Sequence, residues 1–208
     1  MNEKILVALK ELREKSKKRN FSQSFDLIIN LKEFDTKKPE NKFSENIILP
    51  YGRGKDAEVA VFSDSIKSKD YKIFTSIDVD RISKNKREAK NLASRTDFFL
   101  AEPKMMPLIG KSLGCYLAPR GKMPTIISGD EKSTVQNLKK TIRIVVKDSP
   151  VIQSLIGKEN MKDEEIVENI EAILKFLETK LPKGKRNIGK VLLKLTMCKP
   201  VKLEVWNW

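Results

Sequence analysis

Apolar residues recur along this chain in two rhythms. In the first they return every three or four positions, as at Ile5, Leu6, Leu9 and Leu12. That spacing keeps one stripe of a helix apolar and predicts a helix over residues 1–19. The same rhythm is strongest over 161–181, where Ile166, Ile170, Ile173, Leu174 and Leu177 share a face. Asp163, Glu164 and Glu165 then occupy the first turn, where carboxylates meet the positive end of the helix dipole. In the second rhythm apolar and polar positions alternate. Phe25, Leu27, Ile29 and Leu31 alternate with Ser24, Asp26, Ile28 and Asn30. Val191, Leu193, Leu195 and Met197 alternate with Lys190, Leu192, Lys194, Thr196 and Cys198. A period of two predicts strands with one buried face, the last running unbroken over 188–203 with a polar, cationic open side. Without further information that open side reads equally as an ordinary solvent face. A polar loop over 32–46 and a short strand over 46–49 follow the first strand. A strand over 141–146 is extended by, or paired with, residues 150–157.

Between these end segments the pattern changes. Short apolar strands are predicted over 59–62, 71–75 and 98–101. They alternate with a helical turn over 63–69, a basic helix over 78–94, a helix over 104–113 opened by Pro103 and closed by Gly114, and a helix over 130–140. Strands alternating with helices imply parallel β-α-β units. The predicted fold class is α/β (α+β) in two domains. Residues 1–56 plus 142–208 form a discontinuous α+β domain with an antiparallel sheet, and residues 57–141 form an inserted Rossmann-like α/β domain. Guest domains are tolerated where their own ends lie close together.

Charge narrows the function. Among 208 residues, 34% are charged and the formal net charge is +14, a cation excess that points to a polyanion. No apolar run approaches the roughly 18 residues of a membrane span, and the N-terminus lacks the pattern of a signal peptide. Nucleic acid is therefore favoured over an anionic membrane. The chain has no histidine, which removes the commonest general base and transition-metal ligand. Cys115 and Cys198 lack metal-ligand spacing and read as free thiols. Gly52-Arg53-Gly54-Lys55 fails the phosphate-loop spacing, and G-x-G-x-x-G is absent, so neither a cofactor nor a metal is expected. The glycines read as a flexible crossing between domains, with Arg53 and Lys55 facing RNA backbone or solvent. Residues 118–124, Ala-Pro-Arg-Gly-Lys-Met-Pro, read as a shaped loop with Arg120 and Lys122 at its tip. An enzyme working in the cleft between domains, or a DNA-binding protein, is disfavoured. Paired carboxylates, metal clusters, helix-turn-helix and zinc spacing are all missing.

The stretch FFLAEPKMMPLIGKSLGCYLAPRGKMP at 98–124 resembles the central signature of the ribosomal protein L-one family, which carries the mobile stalk of the large ribosomal subunit. The similarity spans the chain and is nearest the archaeal and eukaryotic branch. NFSQSFDL at 20–27 resembles the family's first strand, LPYGRGK at 49–55 its hinge, and TMCKP at 196–200 its Thr-Met-Gly tail motif. The resemblance implies a cytoplasmic, non-enzymatic constituent of the ribosome, monomeric when free and without a membrane partner. It implies binding to large-subunit rRNA, a position near tRNA in the exit site with a role in deacylated tRNA release, and in some lineages repression of its own mRNA. Carried over by position, the implied RNA contacts are Phe21, Ser24 and Asp26 on the first strand and Lys190, Lys194, Thr196, Met197 and Cys198 on the last. Cys198 stands where the family usually has Gly, and Lys190 where bacterial members have Ser. Arg53, Lys55, Arg120 and Lys122 are secondary contacts. Ser24 and Thr196 suit 2′-hydroxyls, the cations suit phosphates, Phe21 suits a sugar or base, and Asp26 a base amino group or hydroxyl.

Overall fold

The computed structural model describes residues 2–17, 19–65, 71–127 and 130–203. It divides into two compact units, Met1–Asp56 with Lys140–Trp208, and Ala57–Lys139. In chain order the first unit contributes α1 (Asn2–Lys15), β1 (Ser24–Leu31) and β2 (Phe43–Ile48). The second unit holds β3 (Val59–Phe62), β4 (Lys72–Phe74), α2 (Ser76–Lys84), α3 (Lys86–Arg95) and β5 (Phe98–Ala101). It continues through α4 (Met106–Ser112), α5 (Gly114–Leu117), β6 (Thr125–Ile126) and α6 (Glu131–Lys139). The first unit resumes with β7 (Thr141–Val146), β8 (Val151–Lys158), α7 (Asp163–Lys180), β9 (Ile188–Leu195) and β10 (Val201–Leu203). Thr141 pairs with Ile48 in the first unit, two residues after the second unit ends.

In the first unit β10, β9, β1 and β8 form an antiparallel sheet in that order, and β2 and β7 form a separate antiparallel ribbon. The strict alternation along β1 buries Phe25, Leu27, Ile29 and Leu31 on one face. They meet Val191, Leu193 and Leu195 of β9, Ile5, Leu9 and Leu12 of α1, and the Ile166, Ile170, Ile173, Leu174, Leu177 stripe of α7. Fully burying each such side chain contributes about 1.5–3 kcal/mol, so this one face dominates the unit's stability. β8 pairs with β1 and not with β7.

The second unit is a parallel sheet in the order β4-β3-β5-β6. One face packs Phe62 and Phe99, stacked with centroids 5.6 Å apart, under α2 to α5. The other packs Val59, Val61, Phe98 and Leu100 under Val135 of α6. Helices on both faces explain why β3 and β5 are apolar at every position.

Four expectations change on folding. The strand expected over 46–49 begins at Phe43, inside the expected loop, because Phe43 to Ile48 pair with Val146 to Thr141. The helix expected over 78–94 is two, because the Asn85 side chain accepts from the amides of Arg87 and Glu88 and so starts a new helix. The helix begun after Pro103 is not closed by Gly114, which opens the next helical turn. The strand expected over 188–203 is a hairpin, since Cys198 N–H donates to Leu195 O at 3.0 Å and Pro200 has no amide for a ladder. Most of the helical turn expected over 63–69 lies outside the described residues.

Candidate nucleic-acid interface

Pairing of β1 with β9 joins the two ends of the chain. Phe25 lies opposite Leu195, Asp26 opposite Lys194, and Ile28 opposite Leu192. Since side chains alternate across a sheet, the inward row Phe25, Leu27, Leu193 and Leu195 forces Ser24, Asp26, Lys194 and Leu192 onto the opposite face, where all four are partly exposed. Lys190 on the same strand is exposed. The turn after β9 is stitched to the start of β1. Ser24 N–H donates to Thr196 Oγ1 at 3.0 Å, and Thr196 N–H donates to Ser24 O at 3.1 Å. Thr196 Oγ1 also lies 3.3 Å from Ser24 O. The Thr196 hydroxyl thus holds the two strands together, leaving one lone pair for an external donor. Phe21 and Met197 stand out of this end with 49% and 59% exposure. Seven of the eight residues named from the sequence for this surface lie along one strand pair or in the turn that closes it. Phe21 precedes the pair by three positions.

Electrostatics on this face are uneven. Desolvation raises the Asp26 carboxyl above its ordinary range, and Lys194 pulls it partly back. The Lys194 ammonium makes no hydrogen bond or ion pair with any described residue, so its donors are open to an anion. Cys198 does not adopt a left-handed backbone, which among described non-glycine residues belongs to Glu33 alone. The thiol therefore stands in this turn without backbone strain.

Beside the turn lies a hollow of about 390 Å³ lined by Lys15, Lys17, Arg19, Gln23, Met197, Cys198 and Lys199. Arg13, Lys15, Lys17, Lys18 and Arg19 stand close together in the sequence at and beyond the end of α1, but folding does not leave them as one face. Arg13 is drawn inward, donating from Nε to Asp163 Oδ1 at 2.8 Å and from its terminal nitrogens to the carbonyls of Glu159 and Met161 at 2.9 Å. It also stacks 5.5 Å from the Phe25 ring centre. Lys15 pairs with Glu11, and Lys18 lies outside the described residues. Sequence reasoning missed Gln23, which is buried. Its Nε2 donates to Ser16 Oγ, its Oε1 accepts from Met197 N–H, and its backbone N–H donates to Glu159 Oε2. Nothing in a run of Ser, Gln and Ser marks the Gln as a structural clasp.

The secondary cations are placed differently from expectation. Arg120 and Lys122 do not sit at a free loop tip. Lys122 Nζ donates to Ala93 O at 3.0 Å and Thr96 O at 2.6 Å, and Arg120 donates to Ser94 Oγ at 2.6 Å. Gly121 takes φ 67°, which turns both side chains back onto the end of α3. Cations there satisfy the last carbonyls and the negative end of the helix dipole. Arg53 Nε donates to Lys55 O at 3.0 Å, and Lys55 is exposed. The Tyr51–Gly52 crossing is docked, not loose. Buried Asn169 donates to Gly52 O at 2.8 Å and accepts from Tyr51 N–H at 3.2 Å.

Among the described residues no group of His, Cys, Asp and Glu is arranged to hold a metal ion, and no helix is long and apolar enough to cross a membrane. Residues 12–199 match the family described as "Ribosomal protein L1p/L10e family". The chain is 41% identical over 210 residues to the large ribosomal subunit protein uL1 of Pyrococcus horikoshii, covering 97% of this chain and 96% of that one. It is 44% identical to its counterpart in Methanothermococcus thermolithotrophicus, covering 97% and 98% of the two chains. With the protein of the same name in Methanocaldococcus jannaschii, identity is 42% and coverage 97% and 95%. An antiparallel sheet closed by both chain ends, an inserted parallel α/β unit, and sequence similarity over nearly the whole length have one common account: this chain belongs to the ribosomal protein L1p/L10e family, a family of ribosomal proteins and not of enzymes.

Proposed function

We propose that this protein is a structural constituent of the large ribosomal subunit that binds large-subunit rRNA through the outward side of β1 and β9 and the turn at Thr196 to Cys198. The observation that carries this reading is the stitched strand pair. It presents Ser24, Asp26, Lys190 and Lys194 on one side and Phe21 and Met197 at its end. RNA is read by shape, 2′-hydroxyls and phosphates, and each has a partner here: short hydroxyls, unpaired ammonium groups, and an aromatic ring for a sugar or base. In this reading the discontinuous unit is the rRNA-binding domain. The neighbouring hollow adds Lys17, Arg19 and Lys199 as backbone contacts. Arg53 and Lys55 are secondary contacts, while Arg120 and Lys122 are helix-end clasps first.

Within the subunit, the proposed seat is the mobile stalk, beside tRNA in the exit site, where the protein assists release of deacylated tRNA. A surface that reads folded shape accepts any RNA presenting the same fold, so the protein's own mRNA is a second ligand and translational repression a second role through the same residues. Free of RNA, the protein is a monomer. The decisive experiment is protection mapping of large-subunit rRNA with the purified protein, combined with Lys194→Ala. A compact footprint is expected. The variant is expected to flatten the slope of log affinity against log salt by about 0.7–0.9 for its one lost phosphate contact. No footprint, or an identical slope, removes the proposed surface.

A further inference from the structure

A second basic hollow lies at the opposite end of the same strand pair, about 790 Å³ in volume, lined by Lys32, Glu33, Pro182, Lys183, Arg186 and Ile188. It is built, not a chance meeting of surface lysines. Asn187, fully buried, binds both walls: Nδ2 donates to Lys32 O at 2.9 Å and Glu33 O at 3.3 Å, and Oδ1 accepts from Lys183 N–H at 2.7 Å. Lys32 N–H returns a bond to Asn187 O at 2.7 Å. Gly189 leaves room for the Lys32 stem, since a Cβ there would come within 2.7 Å of Lys32 Cγ and 2.8 Å of Asn30 O. Glu33 takes φ 50°, an uncommon conformation for a side chain of its size.

Three cations face one carboxylate in this hollow. Lys183 Nζ is 2.5 Å from Glu33 Oε2. The side chains of Lys32 and Arg186 make no hydrogen bond or ion pair with any described residue. The Glu33 carboxyl is held below its usual range first by the Lys183 hydrogen bond and charge, and after them by the charges of Arg186 and Lys32. The fold therefore concentrates positive charge that its own carboxylates do not neutralise. The neighbouring Lys185 is already paired with Glu178.

We propose that this hollow is a second phosphodiester-binding site for the same RNA, with Lys32 and Arg186 as its phosphate contacts and Glu33 as a restraint on Lys183. This rests on the RNA-binding reading above and extends it to the far end of the strand pair. The position argues for RNA over a small anion. β1 has eight residues, so the two hollows stand roughly 26 Å apart at about 3.3 Å per residue. A single polyanion long enough to lie along the strands meets cations at both ends.

The test uses the full chain and in-vitro-transcribed large-subunit rRNA over a salt series. Lys32→Ala with Arg186→Ala should weaken binding and lower the salt slope by about 1.5, near 0.7–0.9 per lost contact. Glu33→Gln frees Lys183 and should do the reverse, tightening binding and steepening the slope, a change that loss of folding does not produce. Ethylation interference on the wild-type complex should show two separated groups of sensitive phosphates, one of which disappears with the double variant. If the wild type binds and Lys194→Ala flattens the slope while the double variant and Glu33→Gln leave it unchanged, the second site is overturned and the first stands. A single group of sensitive phosphates overturns it as well. Failure of the wild type to bind rRNA removes both.

Discussion

At the scale of single residues, Asp26 is the least comfortable group on the open face of the sheet. Partial burial raises its carboxyl above the ordinary Asp range, with Lys194 opposing the shift. An acid whose folded pKa exceeds its unfolded one supports folding below the unfolded pKa. It loses that contribution as pH rises through the folded value, so at neutral pH Asp26 works against the fold. Asp26→Asn is therefore expected to raise the thermal midpoint at neutral pH. The gain should vanish as pH falls below the ordinary Asp range, where the wild-type carboxyl is neutral too. A midpoint difference independent of pH would place the effect elsewhere. Thr196 gives the complementary lesson. Its hydroxyl reads in the sequence as a free partner for RNA, yet it is bonded to the Ser24 backbone. Only a contact between residues 172 apart in sequence takes it out of the pool of free donors.

Individual elements are governed by their ends. α2 begins with a reciprocal cap in which the Thr75 side chain accepts from Asp78 N–H and the Asp78 carboxylate accepts from the Thr75 backbone N–H. Bonds from the backbone and then the hydroxyl of Thr75 hold the Asp78 carboxyl below its ordinary range. That support is present above the unfolded pKa and lost as pH falls. Thr75→Ala should cost the inserted unit about 1 kcal/mol, read by denaturant unfolding, and flatten its stability in the acid limb. The same logic explains where strand and helix expectations stopped short. A period-two pattern ran through Thr196 to Leu203, but the turn bond to Leu195 and the missing amide of Pro200 broke it into β9 and β10. A single basic helix over 78–94 looked continuous until the Asn85 side chain proved a better partner for the next two amides than the helix behind it.

On the scale of the whole molecule, the first unit keeps its core within its own residues, from Ile5 on α1 to Leu203 on β10. Ala57 N–H donates to Lys139 O at 3.0 Å, so the two ends of the inserted unit lie side by side. Replacing residues 57–139 by a short flexible linker should leave a fragment that unfolds cooperatively. It should bind rRNA within about tenfold of the full chain, a difference of about 1.4 kcal/mol. A larger loss, measured by filter binding, would place the main RNA surface on the inserted unit. The two-unit plan was legible because α+β grammar at both ends frames an alternating middle. Partners were less so: β8 reads as a neighbour of β7 by proximity in sequence, but it hydrogen-bonds to β1, with Ile152 opposite Ile29 and Ser154 opposite Leu27.

By itself the sequence determined the periodicities, and with them the buried rows of β1 and β9, the stripe of α7 and the apolar strands of the inserted sheet. Those are local choices, set by side-chain spacing on a helix or strand. Its excess of cations pointed to a polyanionic partner. Tertiary structure alone decided which cations are spent and which are offered. Arg13, Arg120 and Lys122 are turned inward onto carbonyls, a hydroxyl or a carboxylate brought to them by distant or looping chain. Lys194, Lys32 and Arg186 are left facing outward. Charge is a property of the residue, but its availability depends on what folding places within hydrogen-bond reach.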